Sequence, residues 1–206
     1  MRDHLNQSLR GLPTWVIYLL GALPAPWLFY QGLTGGLGVE PIKALEHEYG
    51  ELALQLLVLG LAITPLRKYT GISLLKFRRA VGLLCFFYVS CHLSVWLLLD
   101  VQLPSQIWAD IIKRPYITIG MAGFLLLLPL ALTSNNWSIR RLGPYWRKLH
   151  RVIYVIGVLG AVHFIMLVKG VQLEPLIYLA LIGGLLLLRL PNRRRSASGR
   201  VRQQRA

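Results

Sequence analysis

The sequence predicts an all-α integral membrane protein, a bundle of six transmembrane helices with both termini on the cytoplasmic side. Composition is the first reason: the 206 residues are 55% hydrophobic and only 15% charged, with a mean hydropathy of +0.53, a balance that no ordinary soluble domain needs. The second is periodicity on the scale of a bilayer. Apolar residues gather into spans at 13–31, 49–66, 80–99, 116–133, 149–168 and 173–190, most of them near the roughly 20 residues that cross about 30 Å of hydrocarbon. The third is charge, which alternates from one connection to the next.

When alternate connections are assigned to the same side, 19 of the 23 basic residues fall together: two before span one, five between spans two and three, five from Arg140 to Arg151 about the start of span five, and seven from Arg189 onward. The opposite side has only Lys43, Lys113, Arg114 and Lys169, yet it holds seven of the eight acids. The positive-inside bias then places both termini in the cytoplasm. The formal net charge of +15 is thereby accounted for without nucleic acid, because the basic residues flank apolar spans.

In span one, Pro24 and Pro26 predict a kink, and Trp15, Tyr18, Trp27 and Tyr30 near its ends read as interfacial anchors. Arg2 and Arg10 precede it as in a signal peptide, but the prolines interrupt the apolar run and no A-x-A site closes it, so it reads as a retained helix. The connection from Gly32 to Glu48 is glycine-rich and then acidic, a surface loop. His47 and Glu51, four residues apart, would share a helix face and could release protons; a solvated loop histidine is the plainer expectation. The loop from Arg67 to Arg79, with Pro65 just before it, is basic and returns the chain to span three.

Span three holds Cys85, Cys91 and His92. The cysteines, six residues apart, point about 120° away from each other on a helix, which rules out a local disulfide, and C-H alone lacks the C-x-x-C-H spacing of covalent haem attachment. Both read as small buried hydrophobes. Pro104 and the R-P-Y run at Arg114 mark a loop and a helix start. Span four has no ionisable residue and reads as a wall of the bundle. The basic, aromatic connection from Asn135 to Arg147 suits an anionic leaflet. Span six has Gly183-Gly184 for close packing and Arg189 placed to snorkel. A six-helix domain at 1–192 is thus expected, followed by a basic, disordered tail at 193–206.

Function is carried by histidines inside the hydrocarbon, where an ionisable side chain marks a functional site. His92 lies twelve residues into span three, about 18 Å from its cytoplasmic edge, and His163 lies thirteen beyond His150, about 20 Å. Spans three and five run parallel, so the two imidazoles are level. Each buried ring needs a partner: a hydrogen bond would serve, from His163 to a neighbouring helix or from His92 to Ser90 or Ser94, but a haem iron satisfies both at once, with apolar surface to cover them. His150 is turned about 220° from His163 on a straight helix. It either ligates a second haem nearer the cytoplasm or supports a propionate or quinone. Its counterparts on span three would be Arg78 and Arg79, poor iron ligands, although Arg78 could pair with a propionate.

The single histidine of span three, with G-L-G-V-E-P-I-K from Gly36, R-R-A-V-G-L from Arg78, C-H-L from Cys91, R-P-Y-I-T-I-G from Arg114 and W-R-K-L-H-R-V-I-Y from Trp146, resembles the ferric-reductase-like transmembrane family. The likeness extends along nearly the whole chain, closest to the subfamily that serves periplasmic methionine sulfoxide reduction. It implies a six-helix cytochrome b in the bacterial inner membrane, with His92 and His163 at the family's haem-ligand positions, as is His150. It further implies electrons drawn from the quinone pool and passed to MsrP, a periplasmic molybdopterin subunit that repairs oxidised methionines. The chain would then be an electron-transfer subunit, with no chemistry on the sulfoxide. The family is also associated with FMN, for which the sequence has no flavin motif. The alternatives are a cytochrome b subunit of another quinone or metal reductase, and a haem-free transporter or scaffold.

Overall fold

A computed structural model of the chain describes residues 2–168 and 170–189. Among these residues eleven α-helices follow one another with no strand. The short polar helix α1 (Arg2–Gly11) leads into α2 (Thr14–Ala22) and α3 (Pro24–Thr34), which together make the first apolar span and break at Pro24 as the prolines predict. Two buried tyrosines fasten that break from neighbouring helices: Tyr49 donates to the Ala25 carbonyl and Tyr88 to the Gly21 carbonyl, each at 2.7 Å.

Helix α4 (Pro41–Thr70) is 30 residues long, well beyond its apolar span. Pro41 suits a first helical position, and Gly71, at φ 79°, ends the helix by donating its N–H to the Arg67 carbonyl. Pro65 lies inside the helix. A helical proline leaves the carbonyl four residues earlier without its donor, here that of Leu61. The Arg189 guanidinium supplies one, donating to Leu61 O at 2.5 Å and to the Tyr154 hydroxyl at 2.9 Å, with its charge over the Tyr154 ring. Arg189 therefore caps a proline break instead of snorkelling to the headgroups.

Helix α5 (Arg78–Val95) continues into a π-helical turn (Trp96–Val101) that ends on Gln102 at φ 58°. Where the sequence reads as a loop, α6 (Pro104–Lys113) forms a short helix with Trp108 and Ile112 exposed, as suits a helix lying in an interface. Then come α7 (Pro115–Leu132), α8 (Asn136–Leu142), capped by Asn135, and α9 (Pro144–Leu149). A 3₁₀ turn (His150–Val152) joins α9 to α10 (Ile153–Leu167), and α11 (Leu173–Leu187) follows.

Five helical stretches, Thr14–Thr34, Pro41–Thr70, Leu75–Val101, Pro115–Leu132 and Pro144–Leu167, are long and apolar enough to cross a membrane, and α11 is a shorter apolar sixth. The chain is thus a multi-pass membrane protein. Its large exposed residues, such as Leu19, Leu98, Leu125 and Leu187, form the kind of apolar exterior that a soluble monomer avoids. Helix α4 packs chiefly on α5, and α7 on α10, with α11 against α10 and α4. Their shared core includes Leu57, Leu61, Cys85, Leu127, Ile156 and Ala161. Cys85 is buried as expected, whereas Cys91 is half-buried, and both are free. The bundle has an acidic end, with Glu46, Asp100 and Asp110, and a basic end, with Arg67, Lys76, Arg79 and Arg140.

Candidate functional site

The four helices α4, α5, α7 and α10 enclose a cavity of about 460 Å³, within the range of small-molecule and cofactor sites. Its rim at the acidic end includes Lys43, Asp100 and Arg114, and its far end is apolar, with Leu57, Cys85, Leu127 and Ile156. Both His92 and His163 line it. Their rings face each other with centroids 6.2 Å apart and planes at 88°. The depth match expected from helix rise is thus present as a direct juxtaposition.

Each ring is held in the same way. His92 Nδ1 lies 2.8 Å from the Glu46 carbonyl, and His163 Nδ1 lies 2.7 Å from the Tyr116 carbonyl. A carbonyl only accepts, so each Nδ1 carries the proton and each Nε2 keeps its lone pair, the tautomer that binds a metal. Four residues past each carbonyl stands a glycine. A Cβ on Gly50 would meet His92 Nδ1 at 3.1 Å, and one on Gly120 would meet His163 Nδ1 at 2.9 Å. The two carbonyl-and-glycine pairs, Glu46 with Gly50 on α4 and Tyr116 with Gly120 on α7, are equivalent cradles for two imidazoles on different helices.

Span four, read from the sequence as a wall, therefore holds one of the two histidines through α7. The signal was a glycine one helical turn after the helix start, in a segment with no side-chain ligand to attract notice. His47 sits on α4, not in a loop; it is exposed, borders the cavity and lies 5.9 Å, ring to ring, from Phe164. His150 and Arg78 are not brought to this cavity. His150 stacks on Trp146 at 3.9 Å and places Nε2 3.0 Å from the Thr133 hydroxyl, with Arg78 among the charges around it at the basic end.

The donor set can be tested against a haem. Among the described residues no cluster of three or more His, Cys, Asp or Glu could hold a metal ion, so a four-ligand protein cage does not fit. A group that brings its own equatorial nitrogens needs only the two imidazoles. With an imidazole nitrogen about 2 Å from a metal and about 1.1 Å from its ring centre, two axial rings stand about 6.2 Å apart, which agrees with the separation of His92 and His163. The residues present fit the group.

By fold and site the chain is a polytopic helical membrane protein built around two opposed imidazoles. Residues 49–161 match the ferric reductase like transmembrane component family. Among the relatives, a Brucella anthropi protein described as "Protein-methionine-sulfoxide reductase heme-binding subunit MsrQ" is 50% identical over 177 residues, 85% of this chain and 80% of that protein. Proteins of the same description from Brucella ovis and Brucella suis are 51% identical over the same extent. The chain belongs to the ferric-reductase-like transmembrane family and, within it, to the MsrQ group. No solved structure matches it significantly.

Proposed function

We propose that this protein is the membrane cytochrome b of a methionine sulfoxide reductase system, relaying electrons from the quinone pool to a periplasmic MsrP-type molybdopterin subunit. In this reading it sits in the bacterial inner membrane with its acidic end toward the periplasm, and it takes no part in the chemistry of the sulfoxide. The observation that carries the proposal is the pair of opposed imidazoles of His92 and His163, with both Nε2 atoms available. The names of the relatives, which describe a heme-binding subunit, agree with it.

When bound, haem b supplies one-electron chemistry between ferric and ferrous iron. The chain's own residues do the rest. His92 and His163 would hold the group through Nε2, and the Glu46 and Tyr116 carbonyls would fix their tautomers and raise their basicity through the Nδ1 protons. Leu54, Leu57, Leu127 and Ile156 exclude water from the deep end of the cavity and keep its dielectric low, which sets the potential.

The test is spectroscopic. The purified protein is expected to show a Soret band and a low-spin reduced spectrum, and His92→Ala or His163→Ala is expected to abolish both, together with quinol-dependent reduction of a periplasmic acceptor. His150→Ala is expected to spare that signal. A fall of the haem-to-protein ratio to half in His150→Ala would put a second haem at the basic end. A His163→Ala protein that keeps its haem and a bis-imidazole spectrum would overturn the proposal, since α10 has no other histidine level with His92.

A further inference from the structure

The cavity is amphipathic along its length. Seven residues, about 10 Å of helix, separate His92 from Cys85 on the apolar floor, where Leu57, Leu127 and Ile156 also lie. In the other direction the π-helical turn carries Asp100 to the rim, where Lys43, Glu46 and Arg114 join it. A haem has the same asymmetry: one edge is hydrocarbon and the other bears two carboxylates. Ionised carboxylates cannot be placed against the floor, because nothing there pairs with them and burying an unpaired charge is prohibitive. They must face the rim.

At the rim the choice of partners is narrow. Glu46 and Asp100 repel a carboxylate, so among the described residues the lysine and arginine of the rim are Lys43 and Arg114. Both are engaged with acids on their own helical segments, Lys43 with Glu40 at 2.5 Å and Arg114 with Asp110 at 3.2 Å. In the second pair Arg114 is 52% accessible and Asp110 only 19%, whereas the Lys43–Glu40 pair is largely exposed, at 66% and 65%. Exposed pairs of this kind are weak and exchange readily. Arg114 presents a planar fork that matches a carboxylate bidentately. It also precedes Tyr116, whose carbonyl holds His163, by two residues, so the carboxylate anchor and the axial ligand are tied to one helix start.

We infer that Arg114 and Lys43 are the propionate-binding residues of this site, fixing the haem with its carboxylate edge at the acidic rim and its hydrocarbon edge toward the apolar floor. This rests on the haem reading above. Arg78, which from the sequence could pair with a propionate of a second haem beside His150, lies at the opposite end of the bundle.

The experiment reconstitutes haem-depleted full-length protein in nanodiscs with haem b or with haem dimethyl ester, whose carboxylates are masked, and measures affinity by absorbance. Arg114→Gln is expected to weaken haem b about tenfold or more, as loss of a charge-assisted pair does, and Lys43→Gln to weaken it less. Neither variant is expected to bind the ester more weakly than the parent protein does. Arg114→Lys is expected to restore part of the haem b affinity. Equal loss for haem b and the ester would show that Arg114 acts only by holding α7 in place, and no loss for haem b would show that the propionates lie elsewhere; either overturns the inference. If the parent protein takes up neither compound with a bis-imidazole spectrum, it is the haem reading that fails.

Discussion

At the scale of single residues, the two histidines were legible and their cradles were not. Helix rise is arithmetic, so the level of His92 and His163 follows from counting, whereas a backbone carbonyl that accepts from Nδ1 leaves no mark on residue type. Gly50 and Gly120 are the only trace of it, and in an apolar helix a glycine reads first as packing. Their closeness to the rings has a measurable effect. Gly120→Ala puts a methyl 2.9 Å from an imidazole, closer than Cβ contacts allow, and moves His163 off the Tyr116 carbonyl. Haem affinity is expected to fall by about 10- to 100-fold, the usual effect of losing an orienting partner, and Gly50→Ala, with slightly more room, is expected to do less. The 88° between the rings predicts a highly anisotropic low-spin electron paramagnetic resonance signal in the parent protein. A rhombic spectrum of near-parallel imidazoles would show that the cradles do not set the ring planes.

At the scale of elements, hydropathy found every membrane helix but not where each one stops. Helix α4 begins at Pro41 and ends at Thr70, because backbone hydrogen bonding does not end at the edge of the hydrocarbon, and the Glu46 carbonyl depends on that extra length. Helix α6 was missed since ten residues with an acid and a lysine cannot be a span. Pro65 is accommodated inside α4 because the Leu61 carbonyl it orphans is satisfied from far along the chain, by Arg189. That pairing can be tested as a cycle. Arg189→Met is expected to lower stability by about 1–3 kcal/mol, the cost of an unsatisfied buried acceptor. Pro65→Ala, which restores the missing N–H, is expected to recover most of that loss in the double variant, measured by thermal unfolding in detergent. Additive losses would show that the Leu61 carbonyl is not what Arg189 serves.

At the scale of the whole molecule, orientation in the membrane is what the charge distribution argues and helix packing leaves open, since a bundle packs identically either way up. With Cys85 and Cys91 replaced, Val39→Cys, fully exposed in the connection before α4, is expected to react with a membrane-impermeant thiol reagent in intact cells. Ser196→Cys is expected to react only after permeabilisation. The reverse pattern would put the histidine cavity on the cytoplasmic side and exclude direct delivery to a periplasmic partner.

The sixth helix gives the bundle an uneven thickness. Helix α11 has 15 residues, about 22 Å of length against about 30 Å of hydrocarbon, while α4 beside it is twice as long. Lipid along that flank meets a hydrophobic mismatch of about 8 Å, relieved by local thinning of the bilayer at a fraction of a kcal/mol per ångström. Arg189 cannot relieve it by reaching for the headgroups, because its guanidinium is already committed to Leu61 and Tyr154. A thicker membrane would raise that cost along the flank that α11 shares with α4 and α10.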